Sequence, residues 1–188
     1  MENLVLSAFS DEISAIDENL KRFFGFKPLV KGHGIVYSLS NRAGERAFYK
    51  AVDGNKAESE NVTFDDRFDV QWYFRLEGIN SFETVSYGRK RNWLNNFLFS
   101  LVISAKHDFV NQETLYISGA YAIHHGGGVL LGANTDMFAL HQNEFIKDAF
   151  HIETQMILIN FEIRKVLNFN CLDNCYFDYG IPKKHNIR

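Results

Sequence analysis

The chain has 188 residues, of which 46% are hydrophobic and 15% aromatic, including 18 Phe. This composition excludes an intrinsically disordered protein and predicts one domain with a substantial core. The formal net charge is −3 and the pI is about 6.2, which does not indicate a general polyanion binder, a class that is usually basic. Two Cys and two Pro predict neither a disulfide framework nor a Pro-rich linker.

The N-terminal sequence, MENLVLSAF, has no basic segment and no long apolar stretch of the kind found in signal peptides. No apolar run approaches the roughly 20 residues that are needed to span a bilayer. We therefore expect a protein that is kept in the reducing cytoplasm and has no membrane partner.

An amphipathic helix is predicted over residues 10–24. Ser10 is in position for an N-cap, and two acidic residues follow it in the first turn, where the helix dipole favours them. Gly25 predicts a left-handed stop at the C-terminal end. The apolar residues that share one face of this helix are Ile13, Ile16, Leu20 and Phe23.

Residues 68–76 show strict alternation, the pattern of a strand with one buried and one wet face. Their polar side is a candidate contact or lumen surface and carries Gln71, Tyr73 and Arg75. Residues 35–39 and 46–52 flank a polar connection with a glycine and predict a hairpin. The polar segments 54–66 and 77–92 predict loops.

The C-terminal half predicts two strands and two helices. Residues 97–105 alternate but are apolar on both sides, which predicts a strand that is covered on both faces or meets a partner. Residues 111–125 and 136–150 have helical spacing, a glycine run at 126–128 breaks regular structure, and residues 155–167 alternate again.

Together these elements predict a single α+β domain over residues 1–170, with a mainly antiparallel sheet and two or three helices packed on it. Residues 171–188 form an aromatic and basic tail. We expect this tail to dock on its own domain or on a neighbour, because a free tail would rarely carry so many apolar groups.

One motif resembles a catalytic element, the HHGGG sequence from His124 to Gly128. A His followed by glycines forms the oxyanion loop of some esterases, since their backbone N–H groups can approach a developing charge closely. The nucleophile elbow G-x-S-x-G of such enzymes does not occur in the sequence. A flexible glycine loop is therefore predicted, and a small cytosolic enzyme or ligand-binding domain with its site here is the alternative.

The signatures of cofactor sites are incomplete, so no cofactor and no catalytic residue are predicted. GGGVLLG at 126–132 departs from G-x-G-x-x-G, and no P-loop sequence occurs. Cys171 and Cys175 have C-x3-C spacing, which zinc permits, but only His185 and Asp173 are nearby as further ligands. Two reduced thiols are predicted, with a zinc-stapled adaptor as an alternative.

Several residues are candidates for contacts with partners. Arg89, Lys90 and Arg91 form a basic cluster beside an aromatic residue, as in nucleic-acid grooves. Since the whole chain is acidic, a solvated loop or a salt-bridging loop at a subunit contact is the favoured interpretation. The aromatic residues that we expect as interface anchors are Trp72, Trp93, Tyr176 and Phe177, although Trp72 equally fits a core position.

The segment WLNNFLFSLVISAK at 93–106 and the alternating segment 155–167 resemble neck and tail-terminator (tail-completion) proteins of tailed bacteriophages. The resemblance rests on the order of elements and covers the C-terminal half. It implies a virion structural protein without catalytic residues, which is assembled in the host cytoplasm. The implied subunit forms a homo-oligomeric ring with neighbouring structural proteins at the head–tail connection, around a channel for DNA.

Overall fold

The computed structural model describes residues 9–25, 29–40, 46–52, 55–87, 90–142 and 154–168. Their helices and strands are, in chain order, α1 (Ser10–Phe24), β1 (Val30–Ser40), β2 (Arg46–Val52), β3 (Asn55–Asn61), β4 (Val70–Tyr87), β5 (Lys90–Lys106), α2 (Gln112–His125), β6 (Val129–Asn134), α3 (Met137–Gln142) and β7 (Thr154–Asn168). The predicted α+β class is confirmed. None of the described helices is long and apolar enough to cross a membrane.

Within the described residues, seven strands form one sheet in the order β3-β2-β1-β4-β5-β7-β6. Every neighbouring pair is antiparallel except β1 and β4, which run in parallel. The mainly antiparallel sheet is therefore confirmed. The first part of β1 pairs with β4, with an irregularity between Gly32 and Ile35, and its second part pairs with β2 from Val36 onward.

The main core lies between one face of this sheet and the helices α1 and α2. The predicted face of α1 is confirmed for Ile13, Ile16 and Leu20, which are buried, but not for Phe23, which is 38% exposed at the end of the helix. Alternate residues of the central strands meet them and are also buried: Val70, Trp72, Phe74, Phe97, Phe99, Leu101, Ile103, Ile157, Ile159, Phe161 and Ile163. Each large side chain that is fully buried here contributes roughly 1.5–3 kcal/mol to the free energy of unfolding.

Aromatic packing, rather than a polar cap, fixes the start of α1. The residue before the helix is Phe9, whose side chain makes no capping hydrogen bond, and Ser10 is the first helical residue. The Phe9 ring is fully buried, with its centroid 4.4 Å from that of Phe97 and 5.5 Å from that of Phe99. The predicted N-cap is thus displaced by one residue, whereas Gly25 ends the helix at φ 70° as expected.

Two segments that were predicted as loops contain strands. Residues 54–66 include β3, and residues 77–92 include the end of β4 and the beginning of β5. The two long strands remain paired as far as Tyr87 and Lys90. These strands were not predicted because their sequences are polar. A strand is held by hydrogen bonds to the neighbouring strands of the sheet, and these bonds form whatever the local pattern of hydrophobicity.

Of the predictions for the C-terminal half, some are confirmed and others fall outside the described residues. The strands predicted at 97–105 and 155–167 are confirmed within β5 and β7, and the helix predicted at 111–125 is α2. Of the helix predicted at 136–150, the structure describes α3 and leaves residues 143–150 outside its ranges. The strand β6 was not predicted, and the tail at 171–188 lies outside the described residues.

Candidate functional site

The sheet face opposite α1 and α2 is only partly covered. At one end, α3 and residues 62–64 lie over a second small cluster, whose buried members are Val36, Tyr73, Val102, Leu140 and Met156. Beside this cluster lies an open groove of about 560 Å³. Ligand sites in proteins commonly have volumes of ~300–1,000 Å³, so the groove is a candidate binding site.

A row of residues from four strands forms the floor of the groove. Arg75 of β4 pairs with Ser100 of β5, which pairs with Asn160 of β7, and Asn160 pairs with Gly132 of β6. Residues that are directly opposite in a sheet share a face, so this register places a polar row across the sheet. The remaining lining residues are Tyr73, Glu77, Leu98, Val102, Leu131 and Leu158.

Ser100 is at the centre of the hydrogen bonding in this row. Its Oγ lies 2.7 Å from Glu77 Oε1 and 2.9 Å from Asn160 Oδ1. A hydroxyl donates one proton, and the carboxylate is the stronger acceptor, so we assign the Ser100 donation to Glu77. A serine between a carboxylate and an amide is suited to binding, whereas nucleophilic catalysis uses a serine beside a base such as His.

The charged side chains at the groove come in opposite pairs. Arg75 Nε lies 3.5 Å from Glu77 Oε2. Arg75 and Glu77 are the charged residues that line the groove, and they have no net charge together. The groove therefore suits a polar neutral surface better than a polyanion. Beyond the lining, Glu162 of β7 is buried and its Oε1 accepts hydrogen bonds from Arg164 Nε at 2.9 Å and Nη2 at 2.8 Å.

The polar side predicted for residues 68–76 is largely buried. Gln71 and Tyr73 are 8% and 0% exposed, and of the three residues Tyr73 and Arg75 line the groove. The Gln71 amide is held by Asp65, whose backbone N–H donates to Oε1 at 3.1 Å and whose carbonyl accepts from Nε2 at 2.8 Å. This part of the strand is therefore not a free contact or lumen surface.

The glycine run after His124 is the C-terminal stop of α2. The Gly128 N–H donates to the Ile123 carbonyl at 2.9 Å, the Gly127 N–H donates to the His124 carbonyl at 3.4 Å, and Gly127 has φ 85°. This is a Schellman motif, in which glycine terminates a helix. The N–H groups that would form an oxyanion loop thus donate to helix carbonyls, and the segment is a fixed helix stop rather than a flexible loop.

Packing explains the other glycine positions of this run. A Cβ at Gly126 would collide with the Ile16 side chain, and a Cβ at Gly128 would lie 2.7 Å from Ile123 Cγ2. The two preceding histidines, His124 and His125, are exposed. Close packing between α2, α1 and the sheet therefore accounts for the glycines without a chemical role.

The predicted anchors do not come together in the described residues. Trp72 is fully buried and its Nε1 donates to Asp17 Oδ1 at 2.8 Å, so it is a core residue and not an interface anchor. The structure describes only the backbone of Lys90, Arg91 and Trp93, in β5. The anchors that lie outside the described residues are Arg89, Tyr176 and Phe177.

The zinc alternative is not tested, since Cys171, Cys175 and His185 all lie outside the described residues. Within the part of the chain that the structure describes, no three His, Cys, Asp or Glu side chains are grouped so that they could hold a metal ion. The zinc-stapled adaptor therefore stays a prediction.

A second candidate surface, which we term the 116–131 surface, lies on α2 and β6. The described residues include nine exposed large hydrophobic side chains, and four of them belong to this surface: Tyr116, Ile117, Tyr121 and Leu130. Their exposed fractions are 39–48%. Single exposed apolar residues are ordinary, whereas a concentrated group marks an interaction surface.

Aromatic contacts extend this surface to α1. The Tyr121 ring lies 6.1 Å from the Phe23 ring and 4.3 Å from the His125 ring. Ile117, Tyr121 and His125 are four residues apart in sequence and so form one stripe along α2. The sequence contains little signal of this surface, because the polar Glu113 and His125 lie on the same face of α2 as Ile117 and Tyr121.

No protein-family model matches the chain, and no curated protein matches it significantly. The groove and the 116–131 surface are the two features of the described residues that most favour a binding partner.

Proposed function

We propose that this chain is a non-enzymatic structural subunit of a larger assembly. The observation that carries the proposal is the 116–131 surface, which holds four of the nine exposed large hydrophobic side chains of the described residues. On α2, Leu115, Ala122 and Ile123 are buried in the core, while Ile117 and Tyr121 are 48% and 47% exposed. Large apolar side chains on the outer side of a helix leave that side exposed to water, so a partner is expected there.

The specific assembly that we propose is a ring in the neck or tail of a bacteriophage virion. The support for it is the resemblance of residues 93–106 and 155–167, which form most of β5 and β7. The paired strands β4 and β5 have 18 and 17 residues, longer than the usual ~3–10, and long hairpins can reach a neighbouring subunit. Copies in a ring make heterologous contacts that close by rotation, here around a DNA channel.

The experiment that tests this proposal is negative-stain electron microscopy of the purified chain, alone and with the structural proteins encoded beside it. We expect rings or stacked rings for the wild type. The double variant Ile117→Lys/Tyr121→Lys should lose them, because the charges oppose burial of the 116–131 surface. Leu29→Lys is the matched control, since Leu29 is 61% exposed and outside this surface. A wild type that gives no ring under any of these conditions contradicts the proposal.

The groove favours a second candidate function, a ligand-binding domain. Its polar row and its paired charges suit a neutral ligand that both donates and accepts hydrogen bonds. Ligand-observed NMR with neutral amides and polyols tests this function, and Asn160→Leu is the variant that removes the amide while it keeps the volume. A ligand that binds the wild type and not Asn160→Leu supports the candidate, and ligands that bind both equally or neither contradict it.

A further inference from the structure

The Asn160 side chain makes a single hydrogen bond within the described residues, the one to Ser100 Oγ at 2.9 Å. Asn160 lines the groove and is only partly buried. Its second amide atom is not among the enclosed polar atoms that lack a partner. This atom therefore has no partner among the described residues and is open to the groove, where a ligand can reach it.

The hydroxyl of Ser100 decides which of the two amide atoms faces the groove. The structure places Asn160 Oδ1 2.9 Å from Ser100 Oγ, and Glu77 Oε1 lies 2.7 Å from the same Oγ. A hydroxyl has one proton, and this proton goes to the carboxylate because it is the stronger acceptor. With Oδ1 toward Ser100, the lone pairs of two oxygens would therefore face one another at hydrogen-bond distance.

A half-turn of the Asn160 amide about its Cβ–Cγ bond removes this repulsion. The oxygen and nitrogen ends of an amide have nearly the same shape, so the surrounding hydrogen bonds decide between the two orientations. After the half-turn Nδ2 donates to Ser100 Oγ, and the hydroxyl donates to Glu77. All hydrogen bonds of the network then run in one direction, and each bond strengthens the next.

We propose that Asn160 presents its Oδ1 to the groove, and that the groove is therefore selective for neutral ligands with an N–H or O–H donor between two apolar groups. The oxygen of an amide only accepts hydrogen bonds. A ligand atom that also only accepts would face Oδ1 without a proton between them and would be rejected. Asn160 is thus the residue that determines specificity, and Ser100 is the residue that positions it.

The apolar part of the proposed ligand follows from the residues on either side of the polar row. Along β5, the neighbours of Ser100 on the same face are Leu98 and Val102, and both line the groove. Leu131 of β6 also lines it and is 49% exposed. A ligand whose donor reaches Asn160 therefore has apolar surface to cover on both sides. Secondary amides with short branched alkyl groups have this layout.

The inference rests on the groove being a ligand site, the second candidate function, and it narrows the ligand class of that site. Neutral ligands are expected because the charged lining residues, Arg75 and Glu77, are of opposite sign and their side chains approach to 3.5 Å. The two claims can fail separately. A groove that binds donors and pure acceptors equally is still a ligand site, but one without the proposed specificity.

NMR titration with two matched amides tests the specificity. N-isobutylacetamide carries one N–H, whereas N-isobutyl-N-methylacetamide carries none and has the same carbonyl and alkyl group. We expect the wild type to bind the secondary amide about fivefold more tightly, which corresponds to one ordinary hydrogen bond. Asn160→Leu should bind both amides equally, and this variant controls for the added methyl group.

The outcomes separate the inference from the groove function. Equal affinity of the wild type for the two amides overturns the orientation of Asn160 and leaves the groove a ligand site. An equally large preference in Asn160→Leu also overturns the inference, because the preference would then come from the methyl group. Failure of both amides to bind overturns the inference, and the groove function falls with it when polyols fail to bind as well.

Nuclear Overhauser effects in the wild type provide a second measurement that needs neither a ligand nor a variant. With Nδ2 toward Ser100, the Asn160 amide protons lie next to the Ser100 β protons, and we expect a strong cross-peak between them. With Oδ1 toward Ser100, the amide protons point away from it. Absence of a strong cross-peak therefore overturns the inference.

Discussion

Trp72 and Asp17 join the sheet to α1 through one hydrogen bond, from the indole Nε1 to Oδ1 at 2.8 Å. The second oxygen of Asp17 lies 2.6 Å from Lys21 Nζ, one turn further along the helix. Gly32 allows this approach, since a Cβ at that position would lie 2.7 Å from the indole nitrogen. The polar atom of the buried Trp72 is thus satisfied inside the subunit, which explains why Trp72 is unsuited to contact a partner.

Replacement of Asp17 should destabilise the fold. Asp17→Ala leaves the buried Trp72 N–H without its acceptor, at a cost of about 1–3 kcal/mol in the free energy of unfolding. Urea denaturation measures this value. Glu18→Ala is the control, since Glu18 is 58% exposed and its loss should cost no more than about 0.5 kcal/mol. Equal effects of the two substitutions would show that the hydrogen bond contributes nothing.

The glycine stop of α2 gives a second prediction. Gly127 has φ 85°, so Gly127→Ala should cost roughly 1 kcal/mol, whereas His124→Ala at an exposed position should change stability by less than about 0.5 kcal/mol. Thermal unfolding of both variants measures the difference. The reverse order of effects would contradict a purely structural role for this run.

Arg67 should control the ionisation of Asp65. Its guanidinium donates to the carboxylate at 2.6 and 2.8 Å, and these bonds lower the pKa of Asp65 from 3.8 to about 2. Because the folded-state pKa is the lower one, the stabilisation is present above pH 4 and is lost as the pH falls through about 2. An NMR titration of the Asp65 carboxyl group measures this pKa.

The matched variant for this titration is Arg67→Ala, in which the pKa of Asp65 should return toward 3.8. The exposed position of Arg67 means that the fold should be unaffected. An Asp65 titration that is the same with and without the guanidinium would refute the assignment.

Tyr73 should limit stability in alkali. Burial raises the pKa of its phenol above the usual 10.0. Since the folded-state pKa is the higher one, the neutral phenol contributes stability that is complete below pH 10 and is lost as the pH rises toward the folded-state pKa. Tyr73→Phe should therefore unfold at a higher pH than the wild type, as followed by circular dichroism. Identical alkaline transitions for the two proteins would contradict this prediction.

The sequence predicted those elements whose burial is periodic. Helix α1 and strand β7 each bury one face, so the spacing of Ile13 and Ile16, and of Ile157 and Ile159, is visible in the sequence. Strand β6 was missed because its residues are exposed on both faces and leave no alternation. The parallel pairing of β1 with β4 was missed because its partners are distant in sequence, as in Val30↔Val70.

The groove could not be predicted, since its polar row depends on strand register. Ser100 and Asn160 meet although 60 positions separate them, and Glu77 reaches Ser100 across 23. No spacing rule states which residues of separate strands will be opposite one another. The 116–131 surface was not predicted either, because Ile117 and Tyr121 share their helix face with the polar Glu113 and His125, and the side of α2 that the sheet buries is known only from the fold.

Sedimentation velocity of the wild type beside Ile117→Lys/Tyr121→Lys tests the central claim, that the 116–131 surface builds an assembly, most directly. We predict that the wild type sediments as a multimer at micromolar concentration, and that the double variant sediments as smaller species with unchanged secondary structure. A wild type that is monomeric throughout, or a variant that assembles to the same size, would contradict the claim.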